Sequence, residues 1–314
     1  MATTNAITAI TPDIWSAVLQ DNLKKSLVGY GVANIDARPG VNWGNVINKS
    51  YFTVVTAAAY TPGTDVSLDD LSFTNDTLTV NRNFYTASYV DDIEQLQSNV
   101  SIQRALLDDA TYQIGNIIDG EILGNVSAGN TAGGSQLTNG VFTDPGTAAS
   151  FWNNSVTAGS GQVVQVFANA TKMLLTNNCE NFGDWVAVIS PIQASRLAVR
   201  GVGLGFNFAD AALRNGYIGD FMGFQIYVSN NLPEYGEASG VHTGFTGVAN
   251  VTDMYFGRRG MIDVVMQQAP KIEIKDNPLR VGKNVMVWSL WGDTVYTRNK
   301  SRFLDAIVNV SAST

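Results

Sequence analysis

Apolar and polar positions repeat along this chain with two different periods, and the switches between them divide it into successive stretches. Residues 1–40 read as an arm with one short helix. Thr11, Pro12 and Asp13 place a capping residue ahead of a proline at the first helical position. Ile14, Val18 and Leu23 follow at near-helical spacing, and Gly29, Gly31 and Pro39-Gly40 are expected to stop the helix. Residues 41–90 change to a two-residue period. Val41, Trp43 and Ile47 alternate with polar neighbours, and the run from Tyr51 to Ala59 is rich in β-formers. The turn sequence Thr61-Pro62-Gly63-Thr64-Asp65 comes next, and then a returning strand with Leu78, Val80, Arg82 and Phe84 on one face. Tyr85, Ala87 and Tyr89 continue the alternation on the opposite parity, which predicts a β-bulge at Phe84-Tyr85. Two long strands with an acidic tip make a projecting hairpin. Such a hairpin is marginal alone in water, and no other stretch of the sequence is an evident cover for it.

The strongest helical period follows. Asp91, Asp92 and Glu94 complement the dipole at its start, and Leu96, Val100, Leu107, Ala110, Ile114, Ile118 and Ile122 recur along it. Gly124 is expected to close it, giving a helix over residues 92–123 that is roughly 48 Å long at ~1.5 Å per residue. Residues 124–162 carry Gly133-Gly134, Asn139-Gly140, Asp144-Pro145-Gly146 and Gly159-Ser160-Gly161, the marks of a long loop. An α/β module runs from residue 162 to 257. Val164, Phe167, Ala168, Thr171, Leu174 and Leu175 fit one helix face, and residues 185–189 read as a buried strand. Ser190-Pro191-Ile192-Gln193 has the form of a capping box, and Phe224, Ile226 and Val228 alternate along a further strand. Residues 258–314 are strand-rich again, with Lys271-Ile272-Glu273-Ile274-Lys275 and the run from Val285 to Leu290. The fold class expected is α+β.

Composition sharpens this picture. Of 314 residues, 45% are hydrophobic but only 15% charged, against roughly 25% in an average soluble domain. Gly, Asn, Thr and Ser fill the gap. A chain this apolar can bury a large core, which excludes disorder. No run approaches the ~18 apolar residues of a membrane span, so no membrane partner is expected. The first residues lack the basic start and apolar stretch of a secretory signal. The net charge is −8, with 19 basic and 27 acidic residues. Lys24-Lys25, Arg258-Arg259 and the stretch from Arg298 to Arg302 are its densest basic groups, and they read as solvated faces. Large interfaces are depleted in charge, so a subunit that hides much surface against copies of itself would have this composition.

Catalytic inventory is thin. The single histidine, His242, has no Gly-x-Ser-x-Gly nucleophile elbow to accompany it. The single cysteine, Cys179, excludes an internal disulfide and reads as a packed, inert thiol. The glycines of Gly201-Val202-Gly203-Leu204-Gly205-Phe206 are wrongly spaced for a dinucleotide fingerprint. Asp65, Asp69 and Asp70 lack the ordered spacing and terminal Glu of a calcium loop, and they read as a solvated or subunit-facing patch. The Asn-x-Ser/Thr triplets at Asn48, Asn75, Asn125 and Asn169 reflect composition. No catalytic residue, cofactor or metal is expected.

The order of arm, hairpin, long helix, flexible connection, α/β module and returning strands resembles the major capsid proteins of tailed bacteriophages, of the Hong Kong 97 fold type. The residues that carry the likeness are Asp91-Asp92-Ile93-Glu94-Gln95-Leu96 through Ile117-Ile118-Asp119-Gly120-Glu121-Ile122-Leu123, similar to the spine helix. Val186-Ala187-Val188-Ile189-Ser190-Pro191, Asn215-Gly216-Tyr217-Ile218-Gly219 and the segment from Gly223 to Pro233 resemble the axial domain, and Phe256-Gly257-Arg258-Arg259-Gly260 resembles the return. The resemblance implies an N-terminal arm (1–40), an extended loop (41–90), a peripheral domain with its spine helix and flexible connection (91–161), an axial α/β domain (162–257) and return strands to both domains (258–314). It also implies hexamers and pentamers closing into an icosahedral shell around double-stranded DNA that is enclosed without sequence-specific binding. A portal, a separate scaffolding protein and room for a decoration protein go with it, and the location is the virion, assembled in the host cytoplasm. Some relatives crosslink covalently through a Lys and an Asn; Lys49 lies on the hairpin, but no partner residue is identified and nothing supports the reaction. On this reading Pro62, Asp65, Asp69, Asp70, Phe84 and Tyr85 are expected at subunit interfaces. The alternatives are an encapsulin-type compartment shell and a phage structural adhesin.

Overall fold

The computed structural model describes residues 24–36, 44–52, 57–66, 68, 70, 72–97, 102–130, 163–179, 182–195, 197, 217–232 and 251–309. The expected helix after Thr11, the glycines at 201–205 and His242 lie outside these residues. In chain order the helices are α1 (Gly29–Val32), α2 (Asp92–Gln97), α3 (Ile102–Asn130) and α4 (Val163–Thr176). The strands are β1 (Asn34–Asp36), β2 (Val46–Phe52), β3 (Phe73–Thr79), β4 (Arg82–Asp91), β5 (Trp185–Ile189), β6 (Tyr217–Phe221), β7 (Phe224–Val228), β8 (Val251–Arg258), β9 (Asp263–Asp276), β10 (Gly282–Thr294) and β11 (Phe303–Asn309). They form a four-stranded sheet in the order β1-β9-β10-β4, a five-stranded sheet in the order β11-β8-β5-β7-β6, and a two-stranded ribbon of β2 and β3. The mixed helix-and-sheet architecture matches the α+β expectation.

Helix α3 unites the two larger sheets. Its 29 residues span about 43 Å, and Ile114, Ile118, Ile122, Leu123 and Val126 are fully buried. It touches β4, β9 and β10 of one sheet and β8 and β11 of the other. Burying each of those side chains contributes roughly 1.5–3 kcal/mol, so this stripe is the seam on which both sheets depend. In the five-stranded sheet, β5 is buried at every residue, as its unbroken apolar run requires. Phe167 of α4 packs edge-on against Phe221, Phe224 and Phe256 at ring centroid distances of 5.1, 5.8 and 5.1 Å. The β6–β7 hairpin turns at Met222 and Gly223, both in the left-handed region with φ of 50° and 85°, as a two-residue primed turn demands.

Several expectations need correction. Gly29 and Gly31 stop no helix: they form the turn α1, and the chain then enters β1, paired in parallel with β9. The long helix does not end at Gly124: α3 runs through it to Asn130. A helical glycine costs only about 1 kcal/mol, which the burial of Leu123 and Val126 on either side outweighs. On α4 the buried residues are Val166, Phe167, Ala170 and Leu174, whereas Ala168 and Leu175 of the expected face are exposed. At the start of the next helix, residues 191–195, the Ser190 Oγ accepts from the Gln193 N–H at 3.5 Å. The Gln193 side chain completes no capping box: it is buried with no hydrogen-bond partner among the described residues.

There is also no bulge at Phe84-Tyr85. β4 pairs with β10 without a break from Arg82 opposite Trp291 to Asp91 opposite Gly282. Phe84, Thr86, Ser88 and Val90 share the inner face, and the apparent change of parity arises because Thr86 and Ser88 are polar while Tyr85, Ala87 and Tyr89 cover the outer face. The register shifts lie instead between β10 and β9, around Leu290. Nor is β4 half of a projecting hairpin without cover. It belongs to the four-stranded sheet, and the projecting part shrinks to β2, β3 and the residues between them.

Candidate assembly surface

The ribbon pairs from Val46 opposite Thr79 to Phe52 opposite Phe73, and within the described residues it joins neither larger sheet. Its base rests on a small cluster apart from the main core, made of Leu78, Val80, Val265 and Tyr296 with Ile47 and Leu290 against it. Gly292 makes that contact possible: a Cβ there would sit 2.4 Å from the Thr79 carbonyl oxygen. Farther out, apart from Arg298 over Tyr51 and Phe52, no described residue covers the apolar side chains of the ribbon and its tip. Leu68 is 88% exposed and Phe73 72% exposed, and Tyr60, Val66 and Phe52 are exposed as well.

Of the residues expected at interfaces, Pro62 lies in a turn where the Thr64 N–H donates to the Thr61 carbonyl at 3.2 Å, and Asp65 and Asp70 are exposed beyond it. Asp69 lies outside the described residues. The last two are not near that tip. Phe84 faces inward, stacked on Trp291 with centroids 6.4 Å apart and packed against the main core. Tyr85, on the opposite face of the same strand, is 71% exposed. The tip and Tyr85 are therefore separate surfaces within one subunit.

Tyr85 opens onto a sheet face that no described residue covers and that the sequence pattern did not reveal. Ladder pairing sets Tyr85 beside Trp288 and Lys271, Ala87 beside Met286 and Glu273, and Tyr89 beside Asn284 and Lys275. Residues opposed in a ladder share a face. A groove of about 420 Å³ opens here, with Ala87, Tyr89, Met286 and Glu273 in its lining. Glu273 accepts from Lys275 at 2.7 Å, Lys271 at 2.9 Å and the Trp288 indole N–H at 3.3 Å. Hydrogen bonds from Lys275 and Lys271, then Trp288, hold its carboxyl down at about 2. Arg280 lies over the Tyr89 ring at 5.7 Å. The one signal in the sequence was the Lys-x-Glu-x-Lys alternation of β9, which puts all three charges on one face.

Beneath these surfaces, polar contacts tie the elements together. Arg82 bonds Glu121 of α3 at 2.8 Å and Asp293 of β10 at 3.2 Å, and Asn125 also donates to Asp293. Asp119 of α3 is fully buried; it accepts from the Gly29 N–H at 2.5 Å and from the Asn231 amide at 2.8 Å. Burial raises its pKa against the pull of those bonds, and burial with the Asp119 charge pushes Tyr30 up to about 12. Cys179 is buried and its thiol pKa raised by that burial. Among the described residues no group of three His, Cys, Asp or Glu side chains could hold a metal, and no helix is long and apolar enough to cross a membrane.

Residues 43–278, well over half of the chain, match the family model described as phage capsid protein. No curated protein sequence matches the chain. Among solved structures, it is similar over 99% of its length to the whole of a Mycobacterium phage Che8 chain, at 20% identity and a TM-score of 0.71. The capsid structure of cyanophage P-SCSP1u matches at 11% identity and a TM-score of 0.71, covering 98% of this chain and 95% of that one. The cyanophage Pam1 capsid matches over the full length of both chains at 12% identity and a TM-score of 0.66. These likenesses establish the Hong Kong 97-type fold, and they lend no support to a compartment shell or an adhesin. A fold shared end to end with capsid subunits, together with the family match, shows that this chain belongs to the phage capsid protein family and is a structural major capsid protein of the virion shell.

Proposed function

We propose that the subunit closes as hexamers and pentamers into an icosahedral shell around double-stranded DNA, enclosed without sequence-specific contact, and that it acts as a building block without catalysis. The divisions that go with this are an arm (1–40), an extended loop (41–90) whose last strand, β4, returns to the four-stranded sheet, a peripheral domain (91–161), an axial domain (162–257) and return strands (258–314). Assembly takes place in the host cytoplasm with a separate scaffolding protein and a portal, and the outer surface leaves room for a decoration protein. The observation that carries the reading is the exposed apolar ribbon: Leu68, Phe73, Tyr60 and Val66 are left exposed by the described residues and suit burial against another copy.

The interface reading of Pro62, Asp65, Asp69, Asp70 and Tyr85 follows as complementary halves. Between Ser50 and Asn81 the sequence holds four acids, Asp65, Asp69, Asp70 and Asp76, and neither Lys nor Arg. The uncovered face around Tyr85 carries Lys271, Lys275 and Arg280 beside aromatic rings. An acidic, apolar tip from one copy suits such a face on the next. Phe84 enters as the inward anchor of the strand that presents Tyr85. The test is electron microscopy of the full chain co-expressed with its scaffolding protein. Closed shells with five- and six-fold clusters are expected, and small soluble species alone would overturn the proposal.

A further inference from the structure

Three successive residues beyond β10 grip both strands of the ribbon. Tyr296 lies beneath Lys49 of β2, with the ammonium 4.7 Å from the ring centroid, and joins Leu78 and Val80 in the small cluster. Thr297 donates twice to Asp76 of β3, from its backbone N–H at 2.8 Å and its hydroxyl at 3.0 Å. Arg298 stacks over Tyr51 at 4.6 Å and Phe52 at 5.6 Å, and donates to the Phe52 carbonyl. These contacts matter because the ribbon has no ladder to either larger sheet within the described residues.

We propose that residues 296–298 form a clasp that sets the angle of the ribbon on the body, with Asp76 and Arg298 as positioning residues for subunit assembly. The mechanics favour such a device. Seven residues of strand extend about 23 Å at ~3.3 Å per residue, so a rotation of about 10° at the base moves the far end by about 4 Å. That displacement takes a side chain out of the pocket it is meant to fill. A small apolar cluster cannot by itself fix a lever of that length, because apolar packing is non-directional. A carboxylate receiving two donors and a guanidinium stacked on two rings impose direction. The clasp therefore converts a loosely seated ribbon into one presented at a single angle, and it rests on the reading of the ribbon as an assembly element.

The test uses the full chain with Asp76→Ala, Arg298→Ala and, as the conservative variant, Thr297→Ser. Hydrogen–deuterium exchange on the purified subunit reads the clasp itself. Both alanine variants are expected to speed exchange in β2 and β3 by about tenfold and to leave β5 and β8 unchanged, with Thr297→Ser like the parent. Co-assembly followed by microscopy reads the consequence, an expected drop of about tenfold in regular shells for the alanine variants, restored in Thr297→Ser. Unchanged exchange in the ribbon, or equal acceleration in β5 and β8, would overturn the clasp. Faster ribbon exchange with normal shell yield would overturn its part in assembly. Absence of shells from the parent chain would instead strike the assembly reading, leaving the exchange result to decide the clasp.

Discussion

Asp119 shows how one residue can hold three segments of a subunit in place. Its two carboxylate oxygens take a backbone donor from the root of the arm, Gly29, and an amide from the loop after β7, Asn231, which also donates to Asn116 at 2.8 Å. Leaving buried donors like these unpaired costs on the order of 1–3 kcal/mol each, so a carboxylate is kept here although its own desolvation is unfavourable. Burial dominates, and the pKa in the folded chain lies above the ordinary value of 3.8 despite the two hydrogen bonds and Lys25. The folded state thus binds a proton more readily than the unfolded chain. The contribution of this carboxyl to stability is greatest below the ordinary value and declines as pH rises through the elevated one. In Asp119→Asn that titration is gone. Urea unfolding of both proteins between pH 4 and 7 should show the parent gaining relative to the variant toward the acid end; a relative gain toward pH 7 would contradict the assignment.

At the scale of the element, α3 is the member whose loss the fold tolerates least. Ile118 is fully buried at its centre, between the two sheets, and Ile118→Ala should lower unfolding free energy by roughly 2–5 kcal/mol in denaturant titration. Leu96→Ala, at a site 88% exposed on α2, should leave it unchanged within about 0.5 kcal/mol. This helix was legible in the sequence because Ile114, Ile118 and Ile122 repeat every four residues. Its end was not, because Gly124 is a local signal and the packing that overrides it is not local. The same holds for β4: Thr86 and Ser88 hide an inner-face register that appears only once β10 lies alongside. The acidic tip could be read directly, since turn residues and charges mark it. The face opposite Tyr85 could not, because its Lys271, Glu273, Met286 and Trp288 stand about two hundred residues away in the chain and come together only through the ladders.

For the molecule as a whole, the low charge fraction and the exposed apolar residues belong to one economy of surface. A monomer that stayed alone would gain nothing from Leu68 and Phe73 in water, and a flat apolar ribbon would invite aggregation. Acids at its tip restrain that while still permitting a partner face that carries lysine and arginine. If the outer part of the ribbon serves assembly and only its base, at Leu78, belongs to the fold, the two properties must separate on mutation. Replacing Val66, Leu68 and Phe73 together by Ser removes apolar surface that touches no buried residue of the main core. Each site is exposed, so the subunit's unfolding free energy should stay within about 0.5 kcal/mol per substitution of the parent. Shell yield should fall by more than about tenfold, because the same side chains lose their burial in every subunit contact at once. Sedimentation and microscopy give the yield, and denaturant unfolding of the unassembled chain gives the stability. Normal yield from the triple variant would place the assembly contacts elsewhere, and a large loss of stability would mean that the outer ribbon is part of the fold.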